Sequence, residues 1–325
     1  IQDKEVKFRQ IDLQNNLIEL FTDVPIKVKK VNDKDVELKK IIQEFGLYNT
    51  IGSLFDEISD FDEIGSTGAA GFLLHAKTQK SVERVLIEGG PGQGKSTISQ
   101  YLCQVHRMRL LNKQGDLALL PQRLREAPVR LPFKIDLRHI ASWVEERNPY
   151  DGVLSEETFK KVWRNSLESF LIGHVLYHSH WDTFSSDDLH SILKASSVLF
   201  VFDGFDEIAD LKIRKDVVDF INRGVSRIRE NSKSIQIVIT SRPAAFSDTI
   251  GFSVDDYPHF ALADITQSTI DDYVKKWVKA SGINNREASE IFRLVKEKLQ
   301  LPHLRQLTRS PMQLAIFIRV LRTRG

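Results

Sequence analysis

With 325 residues, 41% apolar and 28% charged, the chain can build a sizeable core and has the composition of a folded globular protein, which excludes disordered, collagen-like and low-complexity architectures. A net charge of +2 is too small for long-range field alone to make nucleic acid or an acidic membrane an obligatory partner. The single cysteine, Cys103, allows no internal disulfide, and with no apolar run near the ~18 residues of a membrane span and no leader peptide, the chain reads as cytoplasmic.

It opens on Ile1 rather than Met and stops at Gly325 after an amphipathic run, which predicts an excised piece of a longer protein. Residues 1–62 are expected to be a linker or accessory segment. Within it, Leu17-Ile18-Glu19-Leu20-Phe21 is apolar and β-leaning, and the stretch from Lys27 to Lys40, with six lysines and three acids, reads as a solvated loop. From Arg84 short apolar strands alternate with amphipathic helices, the pattern of an α/β fold with a mostly parallel sheet flanked by helices. Five strands are predicted, at Val85–Glu88, Val129–Leu137, Val198–Phe202, Ile235–Thr240 and Phe260–Leu262. Between them Ile98, Leu102 and Val105 form one helical face, Phe159, Val162, Trp163, Leu167 and Phe170 a second, and Val217, Val218, Ile221, Val225 and Ile228 a third.

After Leu262 the strands cease and three helices are expected, one capped by Thr266, one by Asn285, and one opening at Ser310-Pro311-Met312-Gln313 with an N-cap Ser, Pro at the first position and Gln at the third. The division is therefore a nucleotide-binding domain over 63–263 and a small all-helical domain over 264–325. No fixed-period repeat occurs.

Three constellations carry chemistry. Val85-Leu86-Ile87-Glu88 is followed at once by Gly89-Gly90-Pro91-Gly92-Gln93-Gly94-Lys95-Ser96, a G-x-x-x-x-G-K-S sequence between strand and helix, which is the setting of a phosphate-binding loop (P-loop). Glycine lets the backbone wrap a phosphate with its N–H groups, Lys95 is expected at the β- and γ-phosphates, and Ser96 is expected to ligate Mg2+. Next, the apolar strand ending Val201-Phe202 delivers Asp203, read as a ligand of the Mg2+ site, followed by Gly204-Phe205-Asp206-Glu207, whose two acids could polarise an attacking water or simply occupy a helix start. Third, Ile235–Thr240 runs into Ser241-Arg242-Pro243, where the guanidinium suits a γ-phosphate or, alternatively, ties its own loop to a carboxylate. His174, His178 and His180 lie close in sequence but read as helix histidines rather than metal ligands, Arg305, Arg309, Arg319, Arg322 and Arg324 as the polar face of a helical domain, and Cys103 as a small core residue.

Together these residues resemble a NACHT-type module of the signal-transducing (STAND class) P-loop ATPases, and most of all its bacterial members. The resemblance rests on Gly89 to Thr97, on Phe202-Asp203-Gly204-Phe205-Asp206-Glu207, and on Thr240-Ser241-Arg242-Pro243. Arg309-Ser310-Pro311-Met312-Gln313-Leu314-Ala315 is similar to the helical segment whose proline packs near the base, which puts Pro311 in the site. What the resemblance implies is a slow ATPase switch with ATP/ADP and Mg2+ as cofactors. Phosphate contacts would come from Gly89 through Thr97, metal contacts from Ser96 and Asp203, and catalytic groups from Asp206, Glu207 and Arg242. It further implies a homo-oligomer when activated, an N-terminal effector and a C-terminal sensor outside this chain, and a role in defence against phage, with neither membrane nor nucleic acid required. Two rival readings are an AAA+ machine remodelling nucleic acid or protein, and a non-hydrolysing scaffold that holds ADP.

Overall fold

A computed structural model describes residues 17–32, 34–47, 67–112, 114–179, 181, 183–243 and 251–324. The predicted strands form, as β2 (Arg84–Glu88), β3 (Leu131–Asp136), β4 (Ser197–Asp203), β5 (Ser234–Ser241) and β6 (His259–Leu262), all paired in parallel. A sixth strand joins them. β1 (Ile26–Lys30) comes from the stretch expected to be a loop and pairs antiparallel with β6, which gives the order β1-β6-β2-β5-β4-β3. The cause is period-2 alternation: Ile26 and Val28 turn inward while Lys27 stands outside. Lysines on an edge strand also discourage further pairing, so the charges that suggested a loop suit a sheet edge.

Successive residues of the central strands feed two separate cores. Val85, Ile87, Leu199, Val201 and Val238 face one layer, and Leu86, Val198, Phe200, Phe202, Ile237 and Ile239 face the other. The first layer holds the P-loop helix (Lys95–Leu111), through Ile98, Leu102 and Val105, together with Phe21 and Val24 and the C-terminal helices through Val274, Trp277, Ile291 and Leu314. The second holds Leu211–Glu230 through Val217, Ile221, Val225 and Ile228. The C-terminal helices thus share a core with the P-loop helix.

Several expectations need correction. Leu17–Leu20 is a short helix, not a strand. The face drawn through Phe159 and Phe170 belongs to two helices, Glu156–Val162 and Leu167–Ser179, because the chain leaves helical geometry at Trp163 and Arg164 N bonds forward to Ser169 Oγ. Both still pack on Trp143, edge to face. Asn284, not Asn285, caps the helix Asn285–Lys298. Beside the three C-terminal helices expected, a fourth short one, Pro302–Leu307, starts on a proline. Thr266 does cap Gln267–Ala280, accepting from Thr269 N. Among the described residues no helix is long and apolar enough to cross a membrane.

Candidate nucleotide-binding site

β2 ends at Glu88 and the helix begins at Lys95, so only Gly89–Gly94 turn the chain. Gly92 and Gly94 adopt φ of +73° and +91°, where other residues are strained, and a Cβ on Gly92 would stand 3.1 Å from Met312 Cβ. Gly89 N bonds to Ser241 O on β5, and Gln93 Oε1 accepts from Gly90 N, so the loop is fixed from both sides. The Lys95 ammonium turns back onto the carbonyls of Gly89 (2.6 Å) and Gly90 (3.3 Å). Burial lowers its pKa, against the raising effect of Asp206.

Asp203 closes β4, which lies beside β5 and two strands from β2, at the carboxyl ends where parallel sheets hold ligands. Its Oδ1 accepts from Thr240 Oγ1 at 2.5 Å, and Lys134 Nζ stands 3.2 Å from Oδ2. Gly204, at φ +83°, reverses the chain into a 3-10 turn, Phe205–Glu207, that presents both following acids. Asp206 is held twice by Arg242, through backbone N and Nε, each at 2.9 Å. Glu207 meets Arg138 Nε at 2.9 Å, while Arg138 also grips Asp136 through Nε and Nη2. Despite burial, which acts the other way, that grip keeps Asp136 below the usual carboxylate range.

These residues surround a cavity of about 380 Å3. It is lined by Gly90 to Gly92 and Gly94 to Thr97 of the loop, by Asp203, Asp206, Glu207 and Arg242, and by Pro311. Gly89 and Gln93 lie outside its lining and shape the loop instead. Pro311 reaches the cavity because Met312 N donates to Gly92 O, and Ser310 Oγ caps the helix through Gln313 N. The far end is apolar, formed by Leu17, Leu20, Phe21, Val24, Ile265 and Tyr273. Phe21 is anchored by stacking on Tyr101 of the P-loop helix at 3.5 Å between centroids. Sequence reasoning missed this wall, as well as Lys134 and Arg138. The apolar run Leu17–Phe21 was visible, but its place beside the P-loop depends on contacts some eighty residues apart.

The donor set fits Mg2+: Ser96 and Asp203 offer hard oxygen ligands on the cavity, and this ion takes one or two protein oxygens beside phosphate and water. Among the described residues no group of three or more His, Cys, Asp or Glu suited to a metal occurs.

His174 is buried with Nδ1 2.9 Å from Tyr150 OH, and burial drives its pKa well below 6.5; His178 packs against it, and His180 lies outside the described residues. Arg309 and Arg322 meet Asp264 and Glu287. The side chain of Arg324 is outside the described residues. Burial pushes the Cys103 thiol up to about 12, which suits a core residue.

Residues 83–281 match the NACHT domain family. The chain belongs to that family. The NACHT match takes in the P-loop, the Asp203 strand with its acidic pair, Arg242 and the helix Gln267–Ala280, whereas β1 and Pro311 fall outside it. Among curated proteins no sequence matches the chain. One solved structure with a likeness is the Aeropyrum pernix ORC1 protein in complex with DNA, at 14% identity and a TM-score of 0.32, covering 77% of this chain and 62% of that one. The NACHT chain therefore spans less than two thirds of that protein.

Proposed function

We propose that this NACHT chain is the ATP-binding, slowly hydrolysing switch of a larger signalling protein. The reading rests on one observation: a single cavity is lined by the P-loop, Asp203, the Asp206/Glu207 turn, Arg242 and Pro311, residues drawn from three strands' ends and a C-terminal helix. In it, the backbone N–H groups of the glycine loop and Lys95 bind the β- and γ-phosphates, and the apolar end takes the base. Ser96 and Asp203 would hold Mg2+, which neutralises phosphate charge when bound. Glu207 is the base that takes a proton from the attacking water. Asp206 has both oxygens committed to Arg242, whereas Glu207 is more exposed and held only by Arg138, which it shares with Asp136.

In this reading residues 63–263 form the nucleotide-binding unit and 264–325 the helical unit that folds back over it, with 1–62 as an accessory segment. ADP favours a closed monomer, and ATP favours opening and self-association that activates an effector, in the cytoplasm of a bacterium defending against phage. No nucleic acid is required. Measuring ATP turnover, and mass in solution with ATP, ADP or neither, tests it. Turnover without a change of mass would leave an ATPase but no switch, and tight ADP binding with no turnover would make the chain a scaffold.

A further inference from the structure

Asp203 Oδ1 and Oδ2 live in different company. Oδ1 takes the Thr240 hydroxyl at 2.5 Å with the Ser99 hydroxyl 3.5 Å away, while Oδ2 faces the Lys134 ammonium at 3.2 Å. The sheet register explains why the lysine is there. β3 and β4 run parallel with Lys134 opposite Val201 and Asp136 opposite Asp203, so two carboxylates stand directly across from each other. Like charges in that relation repel. Arg138 neutralises Asp136, and Lys134, two residues earlier on the same face, neutralises Asp203, whose side chain is only 11% exposed. The lysine itself is about a third exposed (32%), so its ammonium can swing into solvent on a flexible stem without unpacking the strand.

We propose that Lys134 is a resident counter-ion at Asp203 that Mg2+ replaces when nucleotide binds. The proposal rests on the assignment of Asp203 to the metal. A second cation at the same carboxylate would meet the ammonium at close range, so the two exchange rather than share. Lys134 thereby keeps a buried carboxylate paired when the site holds no metal, and weakens the hold of the metal by the same interaction. The two effects have opposite signs in a neutral variant, which a residue that only fills space would not produce.

The test is calorimetric ADP binding to the full chain in Mg2+ and in EDTA, together with thermal melting of the nucleotide-free protein, for wild type, Lys134→Met, Lys134→Gln and Lys134→Arg. The ratio of ADP affinities with and without Mg2+ is expected to rise by roughly two- to fivefold or more in both neutral variants, since an exposed ion pair contributes that much and this one is mostly shielded, while the nucleotide-free protein melts earlier. Lys134→Arg should keep the wild-type ratio. Lys134→Gln keeps the question answerable if Lys134→Met does not fold. An unchanged or lowered ratio, or equal loss of affinity with and without Mg2+, would overturn the exchange and leave Lys134 a packing residue. Wild type that binds ADP equally well in Mg2+ and EDTA would instead overturn the metal assignment of Asp203, and this inference with it.

Discussion

Arg242 should make the site discriminate between ATP and ADP, and the structure limits by how much. The guanidinium sits at the cavity, 53% exposed, with Nε 2.9 Å from Asp206 Oδ2. To reach a γ-phosphate it must leave that carboxylate, whereas ADP makes no such demand. A charge-assisted hydrogen bond to phosphate contributes about 1.5–3 kcal/mol. The ion pair given up, half in solvent, contributes at most about 1 kcal/mol, and the backbone bond from Arg242 N to Asp206 Oδ1 can persist. The net preference is therefore about 0.5–3 kcal/mol, or roughly twofold to 150-fold in affinity. In calorimetry on a Glu207→Gln background, where turnover is suppressed, Arg242→Ala should weaken ATP binding within that range and leave ADP within about twofold, a difference too small for one hydrogen bond. Because Arg242→Ala also frees a carboxylate to repel any phosphate, the double variant with Asp206→Asn separates the two effects. Equal losses for ATP and ADP in that double variant would refute the reasoning and make Arg242 a loop tie.

Three further outcomes are expected. Lys95→Ala should cost nucleotide affinity by roughly a hundredfold, since the loop loses its half-buried ammonium, and isothermal titration with ADP checks it. Asp203→Asn should abolish the gain in affinity on adding Mg2+, whereas Glu207→Gln should slow turnover by at least about 100-fold with binding intact; if Asp206→Asn stops hydrolysis and Glu207→Gln does not, the base is the wrong member of the pair. His106, buried on the P-loop helix, has its pKa pushed down to about 3 by burial, then by Arg130 and Arg109. Since the unfolded chain binds that proton near pH 6.5 and the folded one does not, stability falls as pH drops from about 6.5 toward 3, with about 2 kcal/mol lost between pH 7 and pH 5. Urea melts of His106→Gln should be flatter by that amount over this interval, and an unaltered slope would mean that His106 is not held neutral.

Fold and site differ in how far local pattern could reveal them. β2, β4 and β5 were readable because a strand buried on both faces is a bare apolar run, as in Val198 to Phe202. β1 was hidden because its inward residues, Ile26 and Val28, are outnumbered by the lysines around them, and because an edge strand is fixed by its neighbour β6 rather than by its own composition. The P-loop, Asp203 and Arg242 were legible for a different reason: a phosphate site imposes residue types at set spacings along one segment. The partners of the acids follow no such rule. Lys134 meets Asp203 across 69 positions and Arg138 meets Glu207 across as many, through a register that exists only once β3 lies beside β4. The apolar wall of the cavity escaped notice likewise, since Leu17–Phe21 is an unremarkable apolar run until Phe21 stacks on Tyr101.

The pairing of the acids also bears on how an anion can enter a cavity lined by three carboxylates. Asp203, Asp206, Glu207 and the adjoining Asp136 are matched by Lys134, Arg242 and Arg138, with Lys95 held on the loop carbonyls, so four acids face four cations from four different segments. The rim is neutral at close range, as the whole chain nearly is. Attraction of a polyphosphate must then come from groups that act at contact, namely the N–H groups of Gly92 and Gly94, the start of the P-loop helix and the Lys95 ammonium, more than from a field felt at a distance. Salt screens the field over about 10 Å at 0.1 M and hardly touches bonds made inside a closed loop. ADP affinity should accordingly fall by less than about threefold between 0.1 and 0.5 M NaCl, by the same screening argument. A steep decline would mean that the ion pairs around the acids open before the nucleotide docks, leaving cations exposed to draw it in.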